Sequence, residues 1–143
     1  RSLFLFGDKR RGRCYTERNS YFETERMLTM PCIQWKTNLA ITPTQEESLR
    51  SALGEAIALL PGKSKSWLML TFEPETRMAF RGEANEPMAF IAVDLYGGAP
   101  DSACDQLTAR LCSMAQSVLG IQPDHVYVRY LATNQWGWNC SNF

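Results

Sequence analysis

The sequence predicts a two-layer α+β domain, in which a four-stranded sheet carries two helices on one face. Two observations carry this. A strand, an amphipathic helix and a second strand follow one another from position 31, and the same order recurs between positions 88 and 131 with almost no sequence identity between the halves. A parallel strand–helix–strand crossover within one sheet is right-handed, so both helices can pack on the same side. The other face still carries apolar side chains, and in so small a domain it calls for cover by copies of the chain itself.

The elements read in order as follows. PCIQWKT (31–37) is a strand with a mostly apolar face. Thr42 is placed to cap a helix, Pro43 suits its first position and Gln45 completes a capping box, with Thr44 and Glu47 offering a second register. Leu49, Leu53, Ala56, Ile57 and Leu60 form one stripe, which Pro61-Gly62 ends. SWLMLTF (66–72) is nearly all apolar, as expected for a strand buried on both faces. MAFIAVDLYG (88–97) is the third strand. Ser102 with Asp105 offers a cap for a helix whose stripe is Leu107, Leu111, Met114, Ala115 and Val118. Gly120 stops that helix, and HVYVRYL (125–131) is the closing strand.

Residues 1–30 differ from this pattern. They hold 7 Lys/Arg against 4 Asp/Glu, a net +3, with one apolar patch from Leu3 to Phe6 and no period. That patch is short for a secretory signal, and Asp8, Glu17, Glu23 and Glu25 argue against a transit peptide. Residues 1–30 therefore read as a leader, disordered or not part of the mature protein, and residues 31–143 as the domain.

Residues 31–143 hold 8 basic against 11 acidic residues, a net −3, without the clustered basic face that nucleic-acid binding requires. No apolar run approaches the roughly 20 residues of a membrane span. Cys14, Cys32, Cys104, Cys112 and Cys140 form no C-x-x-C pair, and His125 is the single histidine, so no metal is expected. An odd, scattered set reads as reduced thiols of an intracellular protein.

A series of short blocks then narrows the class. Met30-Pro31-Cys32 with Thr37-Asn38, Gly62-Lys63, Met78-Ala79-Phe80 with Gly82, Glu86-Pro87, Pro123-Asp124-His125-Val126-Tyr127 and the closing Gly137-Trp138-Asn139-Cys140-Ser141-Asn142-Phe143 stand in one order. Together they resemble the macrophage migration inhibitory factor family of the tautomerase superfamily, with one-residue insertions before Lys63 and near Ala84-Asn85. The resemblance implies a homotrimer with three active sites at subunit boundaries. It also implies cofactor-free keto–enol tautomerisation of phenylpyruvate- or dopachrome-like compounds, and a cytoplasmic protein, secreted in some relatives without an ordinary signal peptide.

By the same resemblance Pro31 and Lys63 are catalytic. Lys63, Tyr96, Tyr127, Arg129, Trp138 and Phe143 bind substrate: Lys63 pairs with its carboxylate, Tyr96 offers a backbone N–H, and Tyr127 reaches a neighbouring subunit's pocket. Trp138 and Phe143 supply aromatic wall. The chemistry explains the proline. An internal proline nitrogen is a tertiary amide without basicity, whereas an N-terminal one is a secondary amine. An exposed α-amine titrates at about 7.7–8.0. Burial beside a cation lowers that value and leaves a free base, as general base catalysis requires. Activity is thus conditional on Pro31 being the first residue.

Three departures stand out. Arg129 stands where a member of that family carries an asparagine, and its guanidinium either clamps a carboxylate bidentately, which favours acidic substrates, or narrows the pocket. Met88-Ala89-Phe90-Ile91 stands where a redox C-x-x-C would be, so a thiol oxidoreductase reaction is not expected. Ser64 and Trp67 replace a proline and a pocket tyrosine. Two functions fit: the tautomerase, acting on a small aromatic keto acid, and a cytokine-like signalling or interaction protein with a protein receptor, favoured if the leader is retained.

Overall fold

Alternation decides the first strand. Along β1 (Pro31–Thr37), Pro31, Ile33, Trp35 and Thr37 are buried, while Cys32, Gln34 and Lys36 turn to the opposite, half-open face. This computed structural model describes residues 30–142, so the leader expectation for residues 1–30 lies, Met30 apart, outside the described residues. The remaining elements are α1 (Pro43–Ala56), β2 (Met69–Glu73), β3 (Ala89–Tyr96), α2 (Asp101–Leu119), β4 (Val126–Thr133) and a hairpin of β5 (Gly137–Trp138) and β6 (Ser141–Asn142).

The main sheet has the order β2-β1-β3-β4. β1 runs parallel to β2, β3 runs parallel to β4, and the central β1–β3 pair is antiparallel. Each half is therefore one parallel strand–helix–strand unit, and the two meet head to tail at the centre. Both helices lie on one face, where Leu49, Leu53 and Ile57 meet Leu107, Leu111 and Ala115 over Ile33, Trp35, Ile91 and Val93. Trp35 is fully buried there, and its indole N–H has no hydrogen-bond partner among the described residues.

The helix ends follow from local chemistry. Thr42 caps α1 through the expected capping box with Gln45, at 2.9 and 3.2 Å. The helix ends at Ala56 and tightens into a 3₁₀ turn over Ile57–Leu59, while Leu60 is extended because Pro61 disfavours helical geometry in the residue before it. The cap expected at Ser102 is corrected. α2 starts at Asp101, and the carbonyl of Pro100 accepts from the N–H groups of Ala103 and Cys104, which places Ser102 inside the helix. Gly120, at φ 69°, ends α2 as expected.

Two further expectations are corrected. β2 begins three residues later than the run 66–72 and is an edge strand rather than one buried on both faces: only Leu70 and Phe72 pack on the core, and Met69 is 65% exposed. Residues 65–67 form a 3₁₀ turn instead. Cys140 is disulfide-bonded, so the cysteines are not all reduced thiols, while Cys32, Cys104 and Cys112 are free. An odd count excludes a complete set of pairs but not one pair.

Two side chains tie the end of β1 to the approach to β3. The fully buried Thr37 hydroxyl donates to Met88 O at 2.8 Å and accepts from Leu39 N–H at 3.2 Å. The Asn38 amide donates to Glu86 O at 2.8 Å and accepts from Met88 N–H at 3.0 Å. This fixes the register in which β3 meets β1. Thr37→Val keeps the shape but strips the hydroxyl from two backbone partners in a dry site. It is expected to cost about 1–3 kcal/mol, read as a lower midpoint in urea denaturation.

Candidate functional site

Pro31 opens β1 opposite Leu95 of β3 and is buried. Tyr96 stands one step beyond that pair, and its backbone holds two neighbours. Its N–H donates to the carbonyl of Met30 at 3.3 Å, and its carbonyl accepts from Lys63 Nζ at 2.7 Å. Lys63 follows Gly62, whose φ of 76° belongs to the left-handed region, and its own N–H closes on Leu60 O. The turn after α1 thus delivers a lysine, 6% exposed, to the end of β3 nearest the proline. Burial lowers the pKa of its ammonium below the ordinary lysine value.

A cavity of about 1110 Å³ opens beside Pro31. Trp67, Trp136 and Trp138 wall it, with Met30, Cys32, Met69, Asp94 and Leu131 among the other lining residues. Trp138 is set by the terminal hairpin, whose turn residues Asn139 and Cys140 both have positive φ, 50° and 68°, the signature of a tight primed turn. Its ring meets Trp67 edge to face, with centroids 5.2 Å apart. Met30 is 4% exposed, so the residue ahead of the proline is packed into the site and its carbonyl extends the β1–β3 ladder.

The residues singled out in the sequence divide into two groups. Pro31, Lys63, Tyr96 and Trp138 come together at one end of the sheet. Tyr127 and Arg129 do not reach that end within the chain. Pro31 is level with Leu95 and, across β3, with Ala132, whereas Tyr127 stands five positions earlier on β4, about 17 Å along the strand. Tyr127 is 61% exposed on the face away from the helices and packs edge-on against Phe80 at 5.0 Å. Arg129 lies over the ring of Phe90 at 5.3 Å. Phe143 lies outside the described residues.

Sequence reasoning missed Met30, Cys32, Asp94 and Trp136 as part of the site. A signal existed for one of them: Asp94 is the single carboxylate inside an otherwise apolar strand. Among the described residues no cluster of His, Cys, Asp or Glu could hold a metal ion, and no helix is long and apolar enough to cross a membrane.

Two strand–helix–strand halves joined by an antiparallel seam, with a buried proline opening the first strand beside a buried lysine, are the pattern of a tautomerase-superfamily domain. Within that superfamily the chain belongs to the macrophage migration inhibitory factor (MIF) family, whose sequence profile matches residues 30–143. It is 29% identical over 119 residues to macrophage migration inhibitory factor of Meriones unguiculatus, covering 80% of this chain and 99% of that one. The fold is similar to the crystal structure of Leishmania major MIF2, with a TM-score of 0.75, 27% identity, and 80% and 98% of the two chains covered. It is also similar to the Toxoplasma gondii macrophage migration inhibitory factor, with a TM-score of 0.72, 26% identity and coverage of 78% and 99%.

The depressed lysine has a consequence for stability. Its folded-state pKa lies below that of the unfolded chain, so between the two values the unfolded chain binds the extra proton. Stability from this group therefore rises as pH climbs through that window, and the burial penalty applies in full below it. A ¹³C titration of the Lys63 ε-carbon is expected to have its midpoint below the ordinary lysine value of about 10.4. Lys63→Met is expected to flatten the rise in denaturation free energy over that window. A midpoint at or above the ordinary value overturns the assignment.

Proposed function

We propose that the chain, once it begins at Pro31, is a cofactor-free keto–enol tautomerase acting on small aromatic α-keto acids of the phenylpyruvate or dopachrome type. The observation that carries this reading is the backbone of Tyr96, which takes the carbonyl of the residue before the proline on its N–H and a buried lysine on its carbonyl, beside an aromatic cavity that Pro31 lines. Removal of Met30 does three things there. It turns the Pro31 nitrogen into a secondary amine, it empties the volume of a buried methionine side chain, and it releases the Tyr96 N–H for a substrate oxygen. The apolar wall and the Lys63 ammonium then keep the amine unprotonated near neutral pH.

In this reaction the amine takes the proton α to the ketone, and the electron pair moves onto the carbonyl oxygen to form the enol. The same nitrogen returns the proton to oxygen or carbon, so atoms balance without a co-reactant. Lys63 pairs with the substrate carboxylate, and Trp138 and Phe143 contribute aromatic wall. Tyr127 and Arg129 act on a neighbour's site in a homotrimer, which would also cover the exposed Met69, Tyr127 and Leu131 of the open sheet face. Sedimentation equilibrium should then return three times the mass of the chain that begins at Pro31; a monomer would remove Tyr127 and Arg129 from the mechanism.

Phenylpyruvate tautomerisation, followed by enol absorbance, tests the catalyst. Protein beginning at Pro31 is expected to exceed both the Pro31→Gly variant and protein retaining Met30 by about 10²–10⁴-fold in kcat. Equal rates would discard the proline as base.

A second reading has its own observation. Met30 is buried and hydrogen-bonded as an internal residue, which suits a chain that keeps its leader and works as a cytokine-like signalling or interaction protein through a receptor. Mass spectrometry of the natural N-terminus separates the two. We place the protein in the cytoplasm, with secretion by a non-classical route, and the disulfide at Cys140 supports the secreted arm.

A further inference from the structure

Cys140 is disulfide-bonded, while Cys32, Cys104 and Cys112 are free. The sequence holds five cysteines, and the one that remains is Cys14. Cys140 is exposed in the turn of the terminal hairpin, two residues beyond Trp138. Trp138 and Met30 line the same cavity, so the last leader residue and the half-cystine stand at one end of the sheet. Sixteen positions separate Cys14 from Met30, a reach of about 50 Å when extended, which is ample for two attachment points beside one cavity. At its described end the leader is packed into the site. Met30 is 4% exposed and its carbonyl accepts from the Tyr96 N–H at 3.3 Å, while Lys63 Nζ lies 2.7 Å from the carbonyl of the same residue.

We propose that the leader is an inhibitor of the Pro31 site, tethered by a Cys14–Cys140 disulfide, and that opening the site takes two events: scission ahead of Pro31 and reduction of the tether. The inhibition rests on the tautomerase reading; the tether does not. Hydrolysis of the Met30–Pro31 bond adds one water and leaves a carboxylate on Met30 and an amine on Pro31. The cut leader stays attached, so Met30 competes for Tyr96 at an effective concentration of about millimolar. Its new carboxylate lies near the Lys63 ammonium and takes the place meant for the acid group of a substrate. Two external thiols then give two electrons and two protons to the sulfur pair and leave as one disulfide. Cys14 and Cys140 become thiols, and the leader dissociates. Neither Met30 nor Cys140 is among the residues Met69, Tyr127 and Leu131 that a homotrimer covers.

Alkylation of the unreduced full chain in denaturant is expected to label Cys32, Cys104 and Cys112 and to spare Cys14 and Cys140, with all five labelled after reduction. Labelling of Cys14 before reduction overturns the tether. The two-chain form is then made by disulfide exchange between a peptide of residues 1–30 and protein beginning at Pro31. Its KM for phenylpyruvate is expected to stand about tenfold above that of the protein without peptide, and to fall to that value when a thiol reductant is added. A peptide carrying Cys14→Ser, at equal concentration, is expected to leave KM unchanged. The amide signal of Tyr96 in ¹⁵N NMR reads the same contact without catalysis and is expected to move on reduction. A Tyr96 signal that stays in place overturns the inhibition. Protein inactive with and without the peptide would discard the tautomerase, and alkylation and the Tyr96 signal would still decide this proposal.

Discussion

The backbone of a single residue, Tyr96, holds the functional end of the molecule together. Its N–H engages the carbonyl ahead of Pro31, and its carbonyl takes the ammonium of a lysine delivered from another part of the chain. A charge-assisted bond to a backbone carbonyl in a nearly dry place is among the stronger hydrogen bonds a protein makes. It is also short-range, so the lysine, the proline and the strand end must all be held to within a fraction of an ångström. The rest of the fold supplies that rigidity. Thr37 and Asn38 lock the far end of the β1–β3 pair, the capping box fixes where α1 begins, and the turn at Gly62 aims Lys63.

Much of this was legible in the residues, and what was not has physical reasons. The alternation in PCIQWKT and the two helix stripes were strong enough to declare the layers, because the core face of each element is continuous. Thr42-Pro43-Thr44-Gln45 announced its own geometry, since a capping box is settled by neighbours in sequence. β2 was misjudged because an apolar strand at a sheet edge and one at its centre can have the same composition. Only the strand order, a non-local property, separates them. The cap of α2 lies two residues earlier than the expected one, at Pro100, because the carbonyl there takes the first helical N–H groups with no capping side chain.

The candidate site was legible through its motif residues and obscure through its walls. Pro31 and Lys63 stand in short blocks whose chemistry can be argued residue by residue, and they meet at Tyr96. Asp94, Cys32 and Trp136 become neighbours only because β3 pairs antiparallel with β1 and the last residues fold back over the same end. Tyr127 and Arg129 sit well away from Pro31 along β4, so any part they take in its chemistry is intermolecular. Arg129 over Phe90 shows that its guanidinium already has an aromatic platform on the open face of the sheet.

The antiparallel seam between the two parallel halves has an implication for how the gene can be cut. Severed between β2 and β3, each fragment would keep a helix and a parallel strand pair but bare the inner border of β1 or β3, a row of amide groups facing water. The pairing each fragment lost is antiparallel, so a second copy of the same piece, turned end for end, offers it a substitute. Split versions of this protein should therefore be prone to self-association unless the complementary piece is present to compete, and joining the two pieces in reverse order would need a linker long enough to connect the segment after β6 to the start of β1.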